Sequence, residues 1–132
     1  MTLHADERNA LVEYRKEKSL KTLKEAKDVA SLEHWSLTVQ RLYYATYYAQ
    51  SALLIKAGNQ ASTHAGVKAL VNLNFVKTGA LSKEEGNLLG RLFSMRQSGD
   101  YEDSFEWTRE DVEPLIGKTE ILVNKILGLV DQ

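Results

Sequence analysis

The stretch from about Ser36 to Ala57 constrains the fold of this chain more than any other. At about 100° per residue on a helix, Val39, Leu42, Tyr43, Thr46, Tyr47, Gln50, Leu53 and Leu54 fall on one face. Leu37, Tyr44, Tyr48 and Ile55 fall on a second, nearly opposite face, with Arg41 among them. A helix that is apolar on two sides has to be covered on two sides. It either occupies the centre of a bundle or lends its second face to another subunit. Both are expected here, and a homodimer follows because one bundle interior covers only one face. Arg41, Tyr44 and Tyr48 are the candidates for that dimer face or for a cleft beside it.

The other segments supply the covering. A first helix from about Asp6 to Ala30 is heavily charged and has a thin inward stripe of Val12, Ser19, Leu23, Ala26 and Ala30. Small residues in it let a neighbouring helix approach closely. Gly58 terminates the central helix, and a third helix from about Thr63 to Lys77 turns Val67, Leu70, Val71 and Phe75 inward. Ser82 and Glu85 have the spacing of a capping box and open a fourth helix, which carries Leu88, Leu89, Leu92, Phe93 and Met95. Gly99 is the natural residue to end it, leaving Asp100 to Trp107 as an ordered loop. Thr108 and Asp111 start a fifth helix with Val112, Ile116, Thr119, Val123, Ile126 and Val130 at helical spacing. Pro114, inside it, is expected to kink or loosen the first turn. The chain therefore reads as one domain over residues 1–132, all-α: an antiparallel four-helix up-and-down bundle with one extra short helix.

Composition limits what such a bundle does. Seventeen basic and 18 acidic residues give a formal net charge of −1, which excludes a broadly polybasic nucleic-acid binder but leaves room for a local basic site. The chain has no cysteine, so there is no disulfide, zinc ribbon or thiol nucleophile. Its start, MTLHADERNA, lacks the apolar core of a signal peptide, and its longest uncharged run, Leu42 to Ile55, is too short and polar to span a bilayer. A cytoplasmic protein without membrane contact is the expectation. Glu33-His34 lacks the Glu-x-x-His spacing of di-iron bundles, so neither a metal nor another cofactor is expected.

Arg96 is the residue that helical geometry singles out. It follows Leu89 by seven, Leu92 by four and Phe93 by three, so it points along the middle of an apolar stripe. A guanidinium there is costly unless it is paired or opens onto a cleft. One reading is an anion or phosphate contact; the other is an Arg that snorkels out or pairs with Asp100. His64, at the start of the third helix, is either a packing or capping residue or an acid–base group brought near Arg96 by the fold. His4 and His34 read as surface residues, and Lys16, Lys18, Lys21, Lys24 and Lys27 as a solvated face.

Arg96-Gln97-Ser98-Gly99-Asp100-Tyr101 resembles the signature of the HEPN domain (higher-eukaryote and prokaryote nucleotide-binding). Arg41-Leu42-Tyr43-Tyr44-Ala45 and Thr63-His64-Ala65-Gly66-Val67 match its short stand-alone bacterial and archaeal branch in order, spacing and helix position. The resemblance covers about residues 15 to 130. It implies a dimer of helical bundles in which the signature Arg and a following His meet across the dimer axis. Active members cleave RNA there without metal: one group removes the ribose 2′-OH proton and the cation stabilises charge on phosphorus. Many bacterial members are toxins paired with a minimal nucleotidyltransferase, and some of these partners add nucleotide to a toxin tyrosine. Here Tyr101 stands where the His is expected, and a phenol is a poor base near pH 7. The resemblance thus implies nucleotide or RNA-phosphate binding at Arg96, Asp100 and Tyr101, in a toxin–antitoxin-like pair, with weak or no catalysis. An active ribonuclease using Arg96, Tyr101 or His64, and a helical dimerisation module with no ligand, are the alternatives.

Overall fold

The computed structural model describes residues 4–101 and 106–132, with the side chains of Asp100 and Tyr101 outside the described residues. The described residues form α1 (Ala5–Ser31), α2 (Trp35–Lys56), α3 (His64–Val71), α4 (Lys83–Tyr101) and α5 (Arg109–Val130). The domain is all-α, and α2 packs against each of the other four helices.

α2 achieves this by burying two adjoining faces and half-burying a third. Val39, Leu42, Tyr43, Thr46, Gln50, Leu53 and Leu54 are buried on the face expected to be internal. Ala45, Ala49 and Ala52 form a second buried line, missing from the sequence-based expectation, at a spacing of four and three. α1 comes close enough to that line for the Ser19 hydroxyl to donate to the Ala45 carbonyl at 2.6 Å. With Ser19, Thr22 and Ala26 buried on α1, two small-residue surfaces meet, and Ala30 is only half-buried. Leu37 remains 43% exposed, while Arg41, Tyr44, Tyr48 and Ile55 are half-buried. The second face is therefore partly open.

Helix ends follow local chemistry. Gly58 (φ 83°) and Gly79 (φ 88°) take the left-handed conformation that lets the chain leave a helix. At the start of α4 the Ser82 N–H donates to Glu85 Oε1 at 2.7 Å, and the Glu85 N–H donates to Ser82 Oγ at 3.1 Å. Thr108 and Asp111 form the same reciprocal cap on α5. That helix stays continuous through Pro114, an exposed residue in its second turn. α3 continues beyond Val71 into a wider turn, Asn72–Val76, closed by a bond from the Lys77 N–H to the Asn72 carbonyl at 2.9 Å.

Gly99 does not end α4. The helix runs on to Tyr101, so the loop expected from Asp100 begins at least two residues later. Gly99 is not among the residues with positive φ. The Trp107 indole N–H donates to the Met95 carbonyl at 3.2 Å and lies 3.9 Å from where a Gly99 Cβ would stand. The glycine sits inside the helix beside that ring, where a Cβ would make only an ordinary contact, and it does not turn the chain.

Leu42, Leu92, Leu122 and Ile126 form the centre of the core and are almost wholly buried. Leu42→Ala should cost about 2–5 kcal/mol in denaturant unfolding. Ile121→Ser, at a position 70% exposed, should change stability by less than about 0.5 kcal/mol.

Candidate functional site

Three helices build the site. α4 buries Leu89, Leu92 and Met95 and carries half-buried Arg96 at the end of the same stripe. Across from it, α2 supplies two aromatic rings: the Arg96 guanidinium carbon lies 5.1 Å from the Tyr43 ring centre and 5.6 Å from that of Tyr44. A cation over the face of a phenol ring is attracted by its quadrupole, which offsets part of the loss of hydration. This is how the helix holds a charge where spacing alone called for a hydrophobe.

Tyr43 is buried, and a buried hydroxyl needs a partner. It has one in His64: Tyr43 Oη and His64 Nδ1 are 2.7 Å apart. His64 is the first residue of α3; the cap itself is Thr63, whose hydroxyl accepts from the Gly66 N–H at 2.9 Å. The imidazole also packs on Tyr47, with ring centres 4.5 Å apart, and edge-on to Tyr44 at 5.7 Å. The fold thus brings His64 and Arg96 to the same tyrosine ring from two different helices.

Burial raises the Tyr43 phenol to about 12, with the nearby Arg96 charge offsetting part of the rise. Burial lowers His64 below its ordinary 6.5, and the Arg96 charge adds to the effect. Near neutral pH the site therefore consists of a fixed cation surrounded by neutral phenol and imidazole groups. The Tyr43 bond occupies Nδ1 of His64, and Nε2 has no hydrogen bond among the described residues.

Cations continue along the open face of α2. Arg41 lies 5.4 Å from the Tyr44 ring centre and pairs with Glu25 at 3.3 Å. Arg15 and Lys18 of α1 lie 5.6 and 5.0 Å from that of Tyr48. Arg15 was missing from the sequence-based candidates, although it stands three after Val12 and four before Ser19 on the inward stripe. Of the other expected lysines, Lys24 and Lys27 are exposed and pair with Asp28 and Glu120, whereas Lys16 is half-buried and pairs with Glu13 and Asp131. His4 and His34 are exposed residues at helix starts. Asp100 and Tyr101, expected to complete the ligand site, have side chains outside the described residues, and so does any Arg96–Asp100 pair. Among the described residues no three His, Asp or Glu side chains come together as a metal site, and no helix is long and apolar enough to cross a membrane.

An all-helical domain with this arginine and tyrosine arrangement matches the HEPN domain model over residues 12–129, and the chain belongs to that family. A UPF0332 protein of Thermotoga maritima is 36% identical over 96% of both chains. A chain of Methanocaldococcus jannaschii named “Putative toxin MJ0142” is 30% identical over 83% of this chain and 74% of its own. The crystal structure of TT1696 from Thermus thermophilus shares the fold at a TM-score of 0.69, with 16% identity, covering 91% of this chain and 95% of that one.

The depressed His64 value fixes a pH dependence. The unfolded chain binds a proton near 6.5, before the folded chain does, so stability is retained above that value and falls as pH drops through it. Denaturant midpoints measured between about pH 7.5 and about pH 5.5 should decline toward acid. His64→Gln should flatten part of that decline, and the His64 imidazole should titrate below 6.5 by NMR.

Proposed function

We propose that this HEPN domain binds a nucleotide or RNA phosphate at Arg96. We further propose that it works as one half of a toxin–antitoxin-like pair whose other half is a minimal nucleotidyltransferase. The observation that carries the binding reading is the half-buried guanidinium of Arg96 against Tyr43 and Tyr44, in a neutral surround that includes His64. A planar cation with two parallel donors fits a phosphate, and adjacent phenol rings fit a base or ribose. The relatives named as toxins support a toxin-like role. Asp100 and Tyr101 stay in the proposal as the residues that complete the phosphate contact. With Tyr101 in place of a signature His, cleavage is weak or absent.

A second reading has a specific observation in its favour. His64 lies against the same tyrosines as Arg96, and its depressed pKa keeps it neutral, the form a general base needs. With Nδ1–H donating to Tyr43, Nε2 would take the proton of a ribose 2′-OH. The 2′-oxygen would attack phosphorus and the 5′-oxygen would leave, while Arg96 held the developing charge. This is metal-independent endoribonuclease chemistry with a histidine from a different helix.

Arg96→Ala should abolish binding of adenosine 5′-monophosphate and short RNA in calorimetric titrations while changing stability by about 1–2 kcal/mol. Arg96→Lys should recover only part of the affinity, since it keeps the charge but loses the two-donor fork. Wild-type protein that binds neither ligand, with a loss of several kcal/mol in Arg96→Ala, would make the arginine structural and favour a ligand-free interaction module. Robust metal-free RNA cleavage, lost in both Arg96→Ala and His64→Ala, would establish the second reading in place of the first.

The same proposal includes a homodimer built on the open face of α2. Light scattering at micromolar concentration should give twice the 14.9 kDa chain mass. Leu37→Glu with Tyr48→Glu should shift it toward the monomer.

A further inference from the structure

A second basic feature lies beside the site. The first half of α4 and the wall formed by α3 with its wide turn enclose a cleft of about 600 Å³. Its charged lining residues are Lys68 and Lys83; no Asp or Glu among the described residues lines it. Neither lysine has an ion-pair partner among the described residues. Asn72 and Asn87 add amide groups, and Phe93 supplies an aromatic wall that already carries Lys68, with Nζ 5.2 Å from the ring centre.

The cleft adjoins the Tyr43–His64 pair: Gln50, Lys68, Leu89 and Phe93 line both it and a small cavity under Tyr43, Tyr47 and His64, whereas Arg96 opens onto a separate cleft beside Gln40 and Trp107. Lys68 Nζ lies 5.2 Å from the Phe93 ring centre, the Tyr43 ring lies 6.0 Å from that of Phe93, and Arg96 lies 5.1 Å from that of Tyr43. A cation thus stands at each end of a pair of rings, of which Tyr43 is buried and Phe93 is half-buried against the cleft. Cations with a ring between them suit a single strand, the cations following phosphates and the accessible ring taking a base. Gln50 is 5% exposed; its amide donates to the Thr46 carbonyl at 3.2 Å while Oε1 is buried with no partner. A buried acceptor left without a donor is costly, and the amino group of a nucleobase is a donor of the right kind.

We propose that the cleft between α3 and α4 is a second polynucleotide subsite, in which Lys68 and Lys83 hold backbone phosphates of the single strand whose reacting or anchoring phosphate sits at Arg96. This rests on the Arg96 reading above. The charge and the aromatic wall favour a nucleic acid over an acidic polypeptide, which would need no stacking surface.

The test is fluorescence anisotropy on the full chain with a labelled single-stranded RNA of about 12 nucleotides, beside calorimetric binding of adenosine 5′-monophosphate. Both lysines are exposed, so Lys68→Gln with Lys83→Gln should retain the wild-type circular dichroism spectrum. The double variant should bind the 12-mer at least tenfold more weakly, and removing two phosphate contacts should reduce the salt slope by about 1.4. Mononucleotide binding should not change. Unaltered 12-mer affinity and slope in the double variant, with binding lost in Arg96→Ala, would overturn the subsite and leave the Arg96 reading intact. Equal loss of mononucleotide and 12-mer would show one undivided site and also overturn it. Displacement of the 12-mer by poly-glutamate as readily as by unlabelled RNA would assign the cleft to an acidic polypeptide instead. Wild-type protein that binds neither nucleotide nor RNA would remove both readings together.

Discussion

α2 buries two adjoining faces and half-buries a third, and the rest of the domain is arranged around how it does so. Its alanine line accepts α1 at a distance short enough for a side chain to reach backbone, as the bond from Ser19 to the Ala45 carbonyl records. Its large aliphatic residues join a common core with Leu92 of α4 and Leu122 and Ile126 of α5, where volume rather than closeness fills the space. This division by residue size lets one helix touch all four others. It also leaves the tyrosines where the short α3, rather than a long helix, covers them.

The site arises from that partial cover. Tyr43 is buried enough to need a hydroxyl partner, and the His64 imidazole at the start of α3 provides it. The pairing ties the start of α3 to α2 and leaves the faces of the surrounding rings available to cations. Arg96 and Arg41 both use Tyr44, and Arg15 and Lys18 both use Tyr48. A tyrosine here is at once core filler, hydrogen-bond donor or acceptor, and support for charge. Phenylalanine in place of Tyr43 would keep the first and third roles and lose the second.

How much of this the sequence carries differs from residue to residue. The helices were readable because their apolar periods are long, and Arg96 stood out because it breaks one. The contact of Tyr43 with His64 was not readable, since it depends on how α3 docks after the loop at residues 59–63. Gly99 does not mark the helix end because a glycine permits the left-handed turn without requiring it, and here the helix continues through it with no positive φ. The wide turn at Asn72–Val76 leaves no periodic mark over so few residues. Arg15 did have a signal, its place on the stripe of α1, which is easily passed over among so many surface charges. The fold was thus largely open to sequence reading, and the site only at its single most anomalous residue.

Net charge says little about a site of this kind. The chain is nearly neutral, with 17 basic and 18 acidic residues. Several of its acids are engaged in ion pairs between helices or helix ends: Asp131 with Lys16, Glu120 with Lys27, Glu33 with Arg109, and Glu85 with Lys125. Of the cations outside these pairs, Arg15, Lys18 and Arg96 lie over the rings of Tyr43, Tyr44 and Tyr48, and Lys68 and Lys83 line the cleft with Phe93. Charges separated by more than a Debye length of about 8 Å are screened from one another at physiological salt. An approaching phosphate therefore responds to the local cluster and not to the balance of the whole chain. The same screening requires close contact, so a polyanion is held only where rings and cations meet it together.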